Sequence, residues 1–377
     1  MVDRYLRTGS FDTTDSVHLL EKEILVLVIF SYKYNANLAN KVCGRTMDRY
    51  LCEYKLSKKA FSQIGWALSV ILLVSSLLQG IWIAVPEMIW GEENWFATSP
   101  WGKWIGSFAP IYLIGIPLGL LILKKLPADA PESGKLGGKN FMIFLLIAFC
   151  LMYSGNIIGT LLSAILSGGA ADNPLTDYAM DTSPLKIVVM VILAPLIEEY
   201  VFRKQIIDRT KQYGEKLAVF LSALTFGLFH LNLFQFFYAF ALGGLFAYIY
   251  LRTGRLRYPV LLHGIVNFLG SVVAPFMLSL VDMEALTQMD PNATAEQIIE
   301  QYGHMLPGLL VLMLYAMVLV GLAITGLVLL ILKCRKLIWK EADFQLPKEV
   351  GIKTAYLNVG MIVYVLLCVS MIVLSLV

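Results

Sequence analysis

The chain is 377 residues long, 58% hydrophobic and only 15% charged, with a mean hydropathy of +0.71. That balance lies well outside soluble usage and excludes a water-soluble globular protein; it describes a polytopic membrane protein whose first partner is the lipid bilayer. The formal net charge of +3 comes with no basic patch interleaved with aromatics, which excludes nucleic acid as a partner.

Residues 1–60 are polar and read as a cytoplasmic N-terminal extension. Their longest apolar run, 24–30, lacks a signal-peptide layout and falls short of the roughly 20 helical residues that cross a hydrocarbon core. It fits an amphipathic surface helix, a buried helix or part of a small domain. Apolar stretches follow at 64–85, 104–123, 141–166, 185–203, 217–231, 234–251, 258–280, 306–332 and 356–377. They predict an all-α fold of about eight to nine transmembrane helices around an intramembrane polar cavity. Residues 61–140 hold the first two helices, 141–280 a core, and 281–377 an outer loop and the C-terminal helices. The cysteines (Cys43, Cys52, Cys150, Cys334, Cys368) are odd in number and lack CxxC spacing, so they read as free thiols.

Lys and Arg collect in every second connection, at 41–59, 124–139, 203–216, 252–257 and 333–340, while the intervening ones carry Glu92 and Glu93, then Asp172, Asp177 and Asp181, then Asp282 and Glu284. Positive connections stay cytoplasmic, which puts the N-terminus inside and the C-terminus outside.

The fourth stretch ends in Glu198-Glu199-Tyr200-Val201-Phe202-Arg203. Ionisable groups at membrane depth are costly and mark functional sites. Glu198 lies about 7 Å of helix rise from the cytoplasmic boundary at Arg203, so a site there opens to the cytoplasmic side. Neighbouring helix positions differ by about 100°, so the two acids cannot point the same way. Glu199 and Arg203 stand i,i+4 and pair favourably, leaving Glu198 without a structural partner. Pro195 removes a backbone donor and frees the carbonyl of Val191.

Of the four histidines, His18 and His304 lie in polar flanks. His230 ends Phe226-Gly227-Leu228-Phe229-His230, and His263 opens His263-Gly264-Ile265-Val266-Asn267, whose i,i+4 ends share a helix face. A fifth span starting at Leu217 lifts His230 about 20 Å, so that span must tilt or start nearer Leu221. Gly115/Gly119 and Gly155/Gly159 have GxxxG spacing for close helix packing. Asn292-Ala293-Thr294 is a glycosylation sequon with no meaning in a bacterium.

Together, EExxxR at 198–203, FxxxH at 226–230 and HxxxN at 263–267 resemble the CPBP family of CAAX-protease and bacteriocin-processing intramembrane proteins, over roughly Leu185 to Gly270. The resemblance implies peptide-bond hydrolysis by a glutamate-activated water. Glu198 is then the base, His230 shares the water or protonates the leaving amine, His263 and Asn267 donate to the oxyanion, and Glu199 with Arg203 supports them. The substrate is a membrane-associated or lipidated peptide or protein, and the compact core suggests a bacterial plasma membrane. Glu and two His also form the ligand set of some zinc sites; without HExxH, no metal cofactor is the favoured expectation and a zinc-dependent protease its alternative. A proton-coupled transporter and a catalytically silent scaffold or immunity protein are the other readings.

Overall fold

The computed structural model of the chain describes residues 49–288 and 294–376. The run at 24–30, His18, Cys43 and the first two sequon residues lie outside the described residues. Ten helices carry the argument: α1 (Arg49–Trp90), α2 (Pro100–Leu123), α3 (Gly138–Ser167), α4 (187–210), α5 (Glu215–Leu228), α6 (Leu233–Thr253), α7 (Arg257–Leu278), α8 (Leu306–Cys334), α9 (Lys348–Tyr356) and α10 (Val359–Leu374). No strand occurs among the described residues. The chain divides into two compact units, residues 1–56 with 127–129 and residues 57–126 with 130–377. The candidate site lies in the second; Cys52, in the first, is disulfide-bonded, while Cys150, Cys334 and Cys368 are free. The CxxC criterion is blind to bonds at other spacings.

Among the described residues, six helices are long and apolar enough to cross a membrane, and α9 with α10, bent by 64°, would make a seventh. The expected fourth and fifth spans do not qualify. In α4 the apolar run is cut short by Glu198 and Glu199, and α5 has 14 residues, a rise of about 21 Å against a core of about 30 Å.

The long helices are interrupted by wide turns, and three of these end two residues before a proline. The N–H groups of Ile116, Ala194 and Ala274 reach back five residues to Ile111, Val189 and Leu269, and Pro117, Pro195 and Pro275 follow. A proline ring collides with the carbonyl four residues back and offers no donor, so a π-type turn relieves the collision. In the five-residue register of α4, the carbonyl of Met190 faces the nitrogen of Pro195 and is left without a backbone partner.

Small residues let backbones touch. A Cβ on Gly155 would lie 2.5 Å from the Cα of Tyr238 in α6, and one on Gly159 would strike the carbonyl of Leu233. α8 buries only Gly326 fully, against α3, and exposes Leu310, Leu314, Met317 and Ile331, as lipid-facing surface does.

Hydrogen bonds tie each end of the bundle together. At one end, Trp104 of α2 donates to Asp181 and Ser107 bonds Tyr178, both in the connection 168–186. At the other, Gly134 donates to the carbonyl of Thr253 at 2.8 Å, Leu136 to Tyr258 at 3.1 Å and Leu346 to the carbonyl of Tyr213 at 3.2 Å.

Candidate active site

Beyond Pro195, a short α-helical stretch from Ala194 to Glu199 passes into a second wide turn, Tyr200–Gln205, which carries Arg203 inward. Glu199 and Arg203 are both fully buried. Arg203 donates from Nε to Glu199 at 2.8 Å and from Nη2 at 3.2 Å, a bidentate fork, and from Nη1 to the hydroxyl of Ser222 at 2.9 Å. Ser222 donates in turn to the carbonyl of Phe202 at 2.7 Å. The guanidinium is capped by the Phe226 ring, 4.5 Å from its carbon to the ring centroid. A buried charge needs such full pairing.

Glu199 has a second partner. His263 Nδ1 lies 3.0 Å from its Oε1, and because a carboxylate only accepts, Nδ1 carries the proton. His263 Nε2 is thereby turned toward Glu198, 3.9 Å from its Oε2. The two acids do diverge, as helix geometry requires, but onto opposite nitrogens of one imidazole. The sequence reading gave Glu199 only Arg203, and nothing in the i,i+4 pattern signals a third residue from α7. The ring of His263 is stacked on Phe246 at 5.7 Å and meets the edge of Phe226 at 5.8 Å.

His230 lies beyond the end of α5, in the turn to α6, and needs no tilted fifth span. Its Nδ1 donates to the carbonyl of Phe226 at 2.9 Å, leaving Nε2 free, and its ring packs against Phe226 at 5.0 Å. The Phe of FxxxH thus touches Arg203, His230 and His263. Leu231 follows with φ 59°, a conformation that non-glycine residues rarely hold. Asn232 secures it by capping α6: its Oδ1 accepts from the N–H of Gln235 at 2.9 Å, and its Nδ2 donates to the carbonyl of His230 at 2.7 Å.

Asn267, on α7, donates to the carbonyl of Met190 at 2.8 Å. This is the group left over by Pro195; expectation had freed the carbonyl of Val191, one residue on, because an α-turn had been assumed. Gly264 eases the approach of α4 and α7, since a Cβ there would lie 3.2 Å from that Val191 carbonyl.

Glu198, His230, His263 and Asn267 line one cavity of about 710 Å³, with Gln235 and Tyr238 of α6 also on its wall. Gln235 donates to the Tyr238 hydroxyl at 3.0 Å. Sequence reasoning missed Ser222, Asn232 and Gln235, which fit no motif. Among the described residues, no three His, Cys, Asp or Glu side chains converge as a metal-binding set.

Residues 181–269 match the family described as type II CAAX prenyl endopeptidase Rce1-like. The chain is 29% identical over 157 residues to the putative membrane peptidase YdiL of Bacillus subtilis, covering 39% of this chain and 63% of that relative. It is also 29% identical over 196 residues to the membrane-embedded CAAX protease MroQ of Staphylococcus aureus, covering 48% of this chain and 77% of that one. No solved structure matches significantly.

Proposed function

Through residues 181–269 the chain belongs to the CPBP family, and from that premise we propose that it is an intramembrane endopeptidase of the bacterial plasma membrane in which Glu198 activates water. The observation that supports this most is the arrangement around His263: Nδ1 is fixed by Glu199 at 3.0 Å and Nε2 stands 3.9 Å from Glu198 at the cavity wall. That gap is too long for a direct hydrogen bond and suits a water shared by the two groups.

In this reading Glu198 takes a proton from the water as its oxygen bonds to the scissile carbonyl carbon. Nε2 of His230 then accepts from the hydroxyl hydrogen that stays on that oxygen. The developing oxyanion receives the second N–H of the Asn267 amide. It also receives the Nε2–H of His263 once Glu198 has passed the water's proton to that ring; Glu199 stabilises the resulting imidazolium. The C–N bond then breaks as the His263 imidazolium gives that proton to the leaving amine. Arg203 keeps Glu199 ionised and aimed. No step needs a metal. The substrate is a membrane-associated peptide or protein; the relatives' names extend to CAAX proteins, and prenylation is one form the apolar anchor takes.

The test compares peptide termini in cells carrying wild type, Glu198→Gln or His263→Ala at equal abundance. Termini lost in both variants identify the substrate; processing that survives Glu198→Gln removes the mechanism at its central residue.

A further inference from the structure

The cavity is lopsided. Beyond the polar cluster it runs along the second half of α1 (Gln79, Trp82) and the first half of α2 (Ser107) to Phe96, Ala97 and Tyr178, in or beside the connections 91–99 and 168–186. No residue of 124–137, 203–214, 254–258 or 335–347, the connections at the opposite end, lines it. There the floor is sealed by Glu199, Arg203 and Ser222, all fully buried, and by Phe202, 1% exposed. The far mouth is built rather than slack. Gln79 donates to the carbonyl of Ser107 at 2.6 Å and Trp82 to that of Gly102 at 3.1 Å, and Trp82 and Phe96 meet edge to face at 5.2 Å. Ala97 and Lys103 are exposed at its rim.

The two ends also differ in charge. The mouth-side connections carry Glu92, Glu93, Asp172, Asp177 and Asp181, whereas the sealed end carries Lys124, Lys125, Lys211, Arg255, Arg335 and Lys336. Since short basic connections are retained in the cytoplasm and acidic ones are indifferent, the sealed end is the cytoplasmic one.

We infer that substrate enters this cavity from the side away from the cytoplasm, so that the peptide cleaved is one exposed at the outer face of the membrane. This reverses the opening expected from the depth of Glu198, and it rests on the peptidase reading only for what the entrant is. Depth measures distance from one surface; the lining tells which surface is connected to the site.

The test uses the full-length chain in intact bacterial cells with a membrane-impermeant maleimide, labelled sites being read by mass spectrometry. Native Cys334, exposed where α8 meets the sealed-end connection 335–347, reports the cytoplasmic side, and Ala97→Cys and Lys103→Cys report the mouth. The expected result is labelling of both mouth thiols in intact cells, labelling of Cys334 only after permeabilisation, and loss of turnover in each labelled mouth variant relative to the same variant unlabelled. Labelling of Cys334 in intact cells, protection of the mouth thiols, or turnover unchanged by the mouth label overturns the inference. If Glu198→Gln leaves cleavage intact, the peptidase mechanism fails while the sidedness of labelling still decides the entry.

Discussion

Glu198 and Glu199 are neighbours whose replacement by Gln is expected to have opposite consequences. Glu199 accepts from Arg203 at 2.8 and 3.2 Å and from His263 at 3.0 Å, and neither Glu199 nor Arg203 has any exposure. Glu199→Gln keeps the shape but leaves the guanidinium buried without its counter-charge, and breaking a buried pair costs about 3–5 kcal/mol. Glu198 faces the cavity with 16% of its side chain exposed and its His263 neighbour at 3.9 Å. Glu198→Gln has no direct hydrogen bond to break and should therefore change stability by about 1 kcal/mol or less while lowering turnover by about 10²–10⁴. Thermal unfolding in detergent and a cleavage assay on the same preparations give both readings. A double variant, Glu199→Gln with Arg203→Met, removes both charges and should regain most of the lost stability, because apolar replacement of a buried pair is close to neutral; it should stay inactive, with His263 unanchored. Wild-type unfolding of Glu199→Gln, or an equal stability loss in Glu198→Gln, would refute the division of labour.

Asn267→Ala should cost about 1–3 kcal/mol by orphaning the Met190 carbonyl, and in kcat about 10²–10³ through the lost oxyanion donor; a change confined to stability would leave Asn267 as a helix tie only. Gly155→Leu should prevent α3 from seating on α6 and deplete folded protein in a detergent gel-filtration profile, whereas Gly321→Leu, with nothing within 4 Å of its Cβ position, should behave as wild type. Asn232→Ala should lose about 1 kcal/mol as an N-cap and lower turnover further by loosening the turn that holds His230, as kinetics at a temperature well below unfolding would show. Purified protein should keep its activity after exhaustive chelation; loss restored by added zinc would reverse the metal-free reading.

The long apolar runs that became α1, α2, α3, α6, α7 and α8 were legible because a bilayer imposes a length and a composition on any helix that crosses it. The three motifs were legible because polar groups in such runs stand out. α4 and α5 were not legible as they are: span counting assumes one helix per apolar run, and α5 falls short of a full crossing while the wide turns of α4 place Arg203 and Met190 off the 3.6-residue period. Nor does the sequence reveal that His263 is shared by both glutamates, since this depends on how α7 packs against α4, which is settled by Gly264 and by Asn267 meeting a carbonyl that only the π-type turn leaves available. The direction in which the cavity opens is likewise a property of connections lacking periodicity.

The turn Ile187–Leu193 makes α4 sensitive to length in a way that its composition hides. Deleting a single residue there would leave an equally apolar segment, yet it would turn one half of the helix against the other by about 100° and shift it by about 1.5 Å. Either the Met190 carbonyl would leave Asn267 or Glu198 would leave the cavity. In α8, which faces lipid along most of its length, the same deletion would merely slide one leucine into the place of another. Along this chain, then, tolerance of insertions and deletions should trace the site more sharply than tolerance of substitutions.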